Sequence, residues 1–108
     1  MIRLYLATAA ALAGLAAPAM AQAVSYQISN QTGLTLMEFY ASPASTGEMG
    51  GGNDILGAGV VAPGESGTVS IAQAPGECLY DLRSVFEDGS ERVETQDICQ
   101  SASYTLTQ

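Results

Sequence analysis

Beyond residue 22 the chain alternates apolar and polar residues with a period of two. Val24, Tyr26 and Ile28 alternate with Ser25, Gln27 and Ser29, which predicts an extended segment with one buried and one wet face. Asn30-Gln31-Thr32-Gly33 reads as a turn. Its first three residues also fit an N-glycosylation sequon, for which the turn is the simpler account. Over 34–41 apolar side chains occupy both faces, Leu34, Leu36 and Tyr40 on one and Met37 and Phe39 on the other, which predicts a strand in the middle of a sheet. Ser42-Pro43 ends it. The stretch to Asn53, with Gly50-Gly51-Gly52 near its end, predicts the most mobile loop of the chain. Asn53 to Gly57 reads as a capped turn pinned by Ile55 and Leu56, and Val60-Val61 leads into a Pro63-Gly64 turn. Alternation resumes over 67–72 with Val69 and Ile71 inward, Pro75-Gly76 turns again, and Tyr104 and Leu106 mark a closing strand.

The stretch between Cys78 and Cys99 predicts a hairpin. Asp88-Gly89 lies between two alternating runs, and a type I′ turn requires positive φ at both central residues, which Asp tolerates and Gly accepts. With those two residues as the loop, Glu87 faces Ser90 and Cys78 faces Cys99 at a non-hydrogen-bonded site, where Cα atoms lie about 4.5 Å apart and a disulfide fits. In this register Cys78, Tyr80, Leu82 and Phe86 share an apolar face with Val93, Thr95 and Cys99. Asp81, Arg83 and Glu87 share a polar face with Arg92, Glu94 and Gln96, and Arg83 sits opposite Glu94. Leu79 and Ile98 fall on the polar side and Glu91 and Asp97 on the apolar one. A three-residue loop with a bulge at Gly89 would place Leu82 opposite Glu94 and take the cysteines out of line, so the two-residue turn is preferred.

No stretch past residue 22 sustains a helical period. The expected fold is all-β: a small two-sheet antiparallel β-sandwich of about seven strands with one disulfide-linked hairpin. Residues 1–21 read differently. Met1-Ile2-Arg3 precedes an apolar run over 4–17 and an Ala19-Met20-Ala21 cleavage site, the pattern of a secretory signal peptide. The expected organisation is therefore 1–21 as a signal peptide and 22–108 as a single exported domain, periplasmic or extracellular. The Cys78–Cys99 pair suits such an oxidising destination, and closing that loop is worth roughly 3 kcal/mol to a small core.

Charge and composition narrow the chemistry. Eleven acidic residues face only Arg83 and Arg92 within 22–108, a formal charge of −9 that disfavours nucleic acid and anionic membrane surfaces. The chain has no His, Lys or Trp. That leaves no His-assisted nucleophile, Schiff-base lysine or His-thiolate zinc site, and a carboxylate pair for sugar hydrolysis would lack both a cleft and a Trp platform. No catalytic residue and no cofactor is assigned. The only metal candidate is Asp54, with Asn53 and loop carbonyls as hard oxygen donors for calcium. Asp81, Arg83, Arg92 and Glu94 form a candidate patch for a protein partner on the polar hairpin face.

Asn30-Gln31-Thr32-Gly33, Tyr40-Ala41-Ser42-Pro43, Asp54-Ile55-Leu56-Gly57, Pro63-Gly64-Glu65-Ser66 and Cys78-Leu79-Tyr80-Asp81-Leu82-Arg83 with the later Cys99 make the chain resemble a group of short exported bacterial β-rich proteins of unknown function. Where that group carries Trp-Gly before its Asp-x-Leu-Gly piece, this chain has Met49-Gly50. The resemblance implies a single exported domain and brings no catalytic residues. The functional expectation is a non-catalytic interaction or structural module of the envelope or medium. Its alternative is a small ligand- or calcium-binding module using the Gly-rich loop near Asp54.

Overall fold

A computed structural model describes residues 22–108, and the signal segment read over 1–21 lies outside the described residues. Six strands form two three-stranded sheets: β1 (Gln22–Gln31), β2 (Leu36–Pro43), β3 (Ser66–Gln73), β4 (Leu79–Phe86), β5 (Glu91–Asp97) and β6 (Ser103–Thr107). One sheet runs β3-β1-β6 and the other β2-β4-β5. The all-β, two-sheet expectation holds with six strands instead of about seven, because Val60-Val61 contributes only a single bridge from Val61 to Leu36. All pairings are antiparallel except β1 with β6, where Gln27 lies beside Ser103 in parallel. β6 reaches β1 by crossing from the other sheet after the turn at 98–102, and so enters in the same direction.

Between the sheets lies one apolar core. β1 supplies Tyr26 and Ile28, β2 Leu36 and Phe39, β3 Val69 and Ile71, β4 Tyr80 and Leu82, and β6 Tyr104 and Leu106. Burial of each large side chain contributes on the order of 1.5–3 kcal/mol. Period-two alternation on β1 and β3 therefore becomes burial as expected. Two polar groups share this interior. Asn30 continues β1 fully buried, donating from Nδ2 to the carbonyls of Leu34 (2.8 Å) and Val61 (2.9 Å) while Oδ1 accepts from Thr32 N (3.0 Å) and Oγ1 (2.6 Å). Ser84, at 0% exposure in the centre of β4, has a hydroxyl with no hydrogen-bond partner in the protein.

β2 corrects one expectation. It is an edge strand and not a central one, and its two-sided apolar pattern arises from a β-bulge: Leu36 pairs with Phe86 but Glu38 with Val85, so Met37 is the extra residue. That insertion changes the phase of the alternation, letting Leu36 and Phe39 both face the core while Met37 and Tyr40 turn out. The outer edge of β2 is closed by the segment 54–61. Ile55 N donates to the Phe39 carbonyl (2.8 Å), Leu36 and Val61 exchange two bonds of 2.9 and 3.0 Å, and the Asp54 carboxylate accepts from Phe39 N (3.0 Å) and Leu56 N (2.9 Å).

The hairpin register is the second correction. β4 and β5 pair with Leu82 opposite Glu94 and Arg83 opposite Val93, the arrangement of the three-residue loop. Gly89 takes φ 85° and Met49 is the only described non-glycine residue at positive φ, so Asp88 does not adopt the conformation a type I′ turn demands. Phe86 N instead bonds the Ser90 carbonyl (2.9 Å), and the Asp88 carboxylate accepts from both Ser90 N (2.9 Å) and Ser90 Oγ (2.6 Å). Those hydrogen bonds hold the Asp88 carboxyl below its ordinary value.

The disulfide nevertheless forms, because it does not belong to the ladder. Pairing ends at Leu79 and Asp97; Ile98 N then bonds the Cys78 carbonyl (2.9 Å), and the Asp97 carboxylate receives Cys99 N (2.9 Å) and Gln100 N (3.2 Å). This turn brings the Cys78 and Cys99 Cα atoms to 5.3 Å with the sulfurs bonded, and it buries Ile98.

Candidate functional site

The shifted register divides the four patch residues between two faces. Asp81 and Arg83 remain on the outer face of the β2-β4-β5 sheet. Arg92 and Glu94 oppose Ser84 and Leu82 and therefore point to the inner side. The expected single patch of Asp81, Arg83, Arg92 and Glu94 is thus not formed, since moving the partner by one residue turns every β5 side chain over.

On the outer face Arg83 is the centre. Its guanidinium lies 4.0 Å from the centroid of the Tyr40 ring, Nε donates to the Gly50 carbonyl (3.1 Å) and Nη1 meets Glu91 at 3.3 Å. Tyr40, across the ladder from Arg83, donates to Glu38 Oε1 (2.5 Å), and that bond to a carboxylate raises the phenol above its usual range. The Gly-rich loop is fastened here. Gly50 N donates to Ser42 Oγ (2.8 Å), and a Cβ at Gly50 would stand 2.4 Å from the Cβ of Arg83, so only glycine lets this backbone lie flat on the arginine stem. Asp81 is buried beside them and accepts from Thr95 Oγ1 (2.6 Å).

Arg92 and Glu94 work along the seam where β5 and β6 approach each other. Arg92 donates to the Thr107 carbonyl. Burial, and after it the adjacent Glu94 carboxylate, raises the Tyr104 hydroxyl well above the ordinary tyrosine value. Inward-facing charge on an edge strand of this kind deters pairing with another chain.

Asp54, the calcium candidate, spends its Oδ1 on two backbone amides of its own fold. Cys78, Cys99 and Asp97 place two sulfurs and a carboxylate within ligand distance of one another, but the sulfurs are joined and offer no thiolate. Beside that bond lies an open hollow of about 480 Å³ whose lining includes Ser45, Glu77 and a half-exposed Leu79, and the Ser45 hydroxyl donates to Glu77. A second hollow, of about 280 Å³, opens between Leu34, Phe86, Ser90 and Arg92.

Charge is segregated between the two sheets. β1, β3 and β6 contain no charged residue at all. All eleven acidic residues lie on the β2-β4-β5 layer or in connections, and both described arginines are engaged internally. The signal existed in the sequence, since strings such as QAVSYQISNQ and SGTVSIAQ are uncharged, but it acquires meaning only once those strands prove to be one sheet. Comparison with protein-family models, curated proteins and solved structures yields no match to this chain.

Proposed function

We propose that this chain is a non-catalytic exported interaction module whose acidic β2-β4-β5 layer receives a cationic protein partner in the cell envelope or the surrounding medium. The observation that carries the reading is the segregation of charge. With Arg83 spent on Tyr40, Gly50 and Glu91, and Arg92 on Thr107, the exposed carboxylates Glu48, Glu87 and Asp88 have no arginine beside them, and their field adds to that of the acidic residues on the β2-β4-β5 layer. Asp54, Asp81 and Asp97 serve as acceptors for neighbouring amides and a hydroxyl, a structural use of carboxylates that fits a scaffold better than an acid-base pair. The formed disulfide suits an oxidising compartment, and no helix among the described residues is long and apolar enough to cross a membrane.

The test is an NMR titration of the protein with a short oligolysine peptide. Expected are amide shifts confined to the β4–β5 hairpin and the 44–54 loop at low salt, vanishing as salt is raised. Neutralising Glu48 and Glu91 together weakens binding by about two- to tenfold. Shifts spread evenly over the molecule, or centred on β1, β3 and β6, refute the proposal.

A further inference from the structure

Each sheet of an open sandwich has two edges, and three of the four here carry a device against pairing. β2 is closed off by the 54–61 segment. β5 is dense in charge, with Glu91, Arg92, Glu94 and Asp97 in seven residues. β6 is short, and Arg92 holds its last carbonyl. β3 has none of these. It is eight residues long, without Pro, without charge and without a bulge in its pairing to β1, and no described strand lies on its other side. Natural sheets rarely leave such an edge bare unless it pairs with something.

The hydrogen-bond phase of that edge follows from its partner. In an antiparallel pair alternate residues bond inward and outward. Asn30 N bonds the Glu65 carbonyl (2.9 Å), so the bonded positions toward β1 continue through Gly67, Val69, Ile71 and Gln73. Gln27 N, from the intervening set on β1, donates instead to Ala102 on the β6 side (2.8 Å), which agrees. The amides and carbonyls of Ser66, Thr68, Ser70 and Ala72 therefore point away from the sheet. Their side chains are exposed, small and uncharged, leaving the approach open.

We infer that the β3 edge is a dimerisation surface on which a second copy of this chain adds its own β3 antiparallel, joining two three-stranded sheets into one of six strands. One register uses every outward group: Ser66 opposite the second copy's Ala72 and Thr68 opposite its Ser70, with Val69 on the two-fold axis. Four bonded pairs with two hydrogen bonds each result, and Val69, Gly67 and Ile71 stay in phase on the core side. The contact is self-complementary and closes on itself, as a two-fold interface requires. Charge selects a second copy as the occupant. Two bodies of charge −9 repel wherever acidic layers meet, but the β3-β1-β6 layer carries no charge, and in this register Glu65 lies opposite Gln73, not another carboxylate. The edge is the approach of least repulsion. This inference is independent of the acidic face, which stays exposed in the dimer.

Sedimentation of the purified protein from about 10 µM to about 1 mM tests it, with a monomer–dimer equilibrium expected inside that range and shifted toward dimer by added salt. Amide hydrogen exchange supplies the register: protection at Ser66, Thr68, Ser70 and Ala72 grows with concentration, whereas Gly67, Val69 and Ile71 are protected throughout. Ser70→Pro removes an outward amide and no β1 bond, and Thr68→Lys adds an edge charge; each keeps the native circular dichroism and sediments as a monomer. A chain still monomeric at the highest concentration overturns the inference. So does a dimer that survives both substitutions, or one whose added protection falls on β5 or β6. A monomer whose four edge amides become protected only when a strand of a different protein binds also overturns it.

Discussion

Asn30 illustrates how a single side chain can stand in for missing backbone pairing. Both amide hydrogens and both acceptor positions are used, on Leu34, Val61 and Thr32, so the β1–β2 turn and the Val61 segment converge on one buried carboxamide. Asn30→Ala should cost about 2–4 kcal/mol, more than the loss of one hydrogen bond, because it leaves the buried Thr32 amide without its acceptor and removes one donor from each of the Leu34 and Val61 carbonyls, which keep only Thr32 Oγ1 and Leu36 N; urea denaturation measures it. The same geometry withholds Nδ2 from glycosylation of the folded chain. Ser84 is the opposite case. Its hydroxyl is buried without a partner, so Ser84→Ala should leave the protein as stable or up to about 1 kcal/mol more so, read from the thermal midpoint. Neither role is visible in sequence: Asn30 sits where a turn signal is strong, and Ser84 occupies an inward slot of an otherwise apolar alternation.

At the level of elements, strands were readable wherever one face of the alternation was clean, as on β1, β3 and β6. Phase was lost where a backbone irregularity intervened. Leu36 and Phe39 are an odd number apart, which no regular strand can place on one face, and only the bulge at Met37 reconciles them. Asp88-Gly89 is compatible with two loop lengths. The cysteine match favoured the shorter one, yet the cysteines lie past the last ladder pair and say nothing about register. The seam between β5 and β6 carries a pH dependence. Burial and Glu94 favour the neutral Tyr104 phenol, so its pKa rises on folding from 10.0. That contribution is complete below pH 10 and disappears as pH climbs through the raised folded-state value. Melting temperatures followed from about pH 9 to about pH 12 should fall less steeply for Tyr104→Phe than for the unchanged protein, with Tyr26, raised by burial, and Tyr40, raised by its bond to Glu38, contributing to the slope that remains.

For the molecule as a whole, the disulfide closes a separation of 21 residues at the end of the hairpin and holds Ile98 in the core. Replacing Cys78 and Cys99 together by Ser should lower the unfolding free energy by roughly 3 kcal/mol, and reduction of the native protein should do the same. A guanidinium titration in the presence and absence of reductant decides this, and equal midpoints would contradict it.

The division between a charge-free sheet and a −9 remainder also gives the protein a direction in an electric field. Near a fixed anionic surface it turns its Ser- and Thr-rich side inward and its carboxylates to the bulk, and near a cationic one it does the reverse. Whatever macromolecule borders it, the sign of that neighbour decides which sheet is presented, before any contact is made.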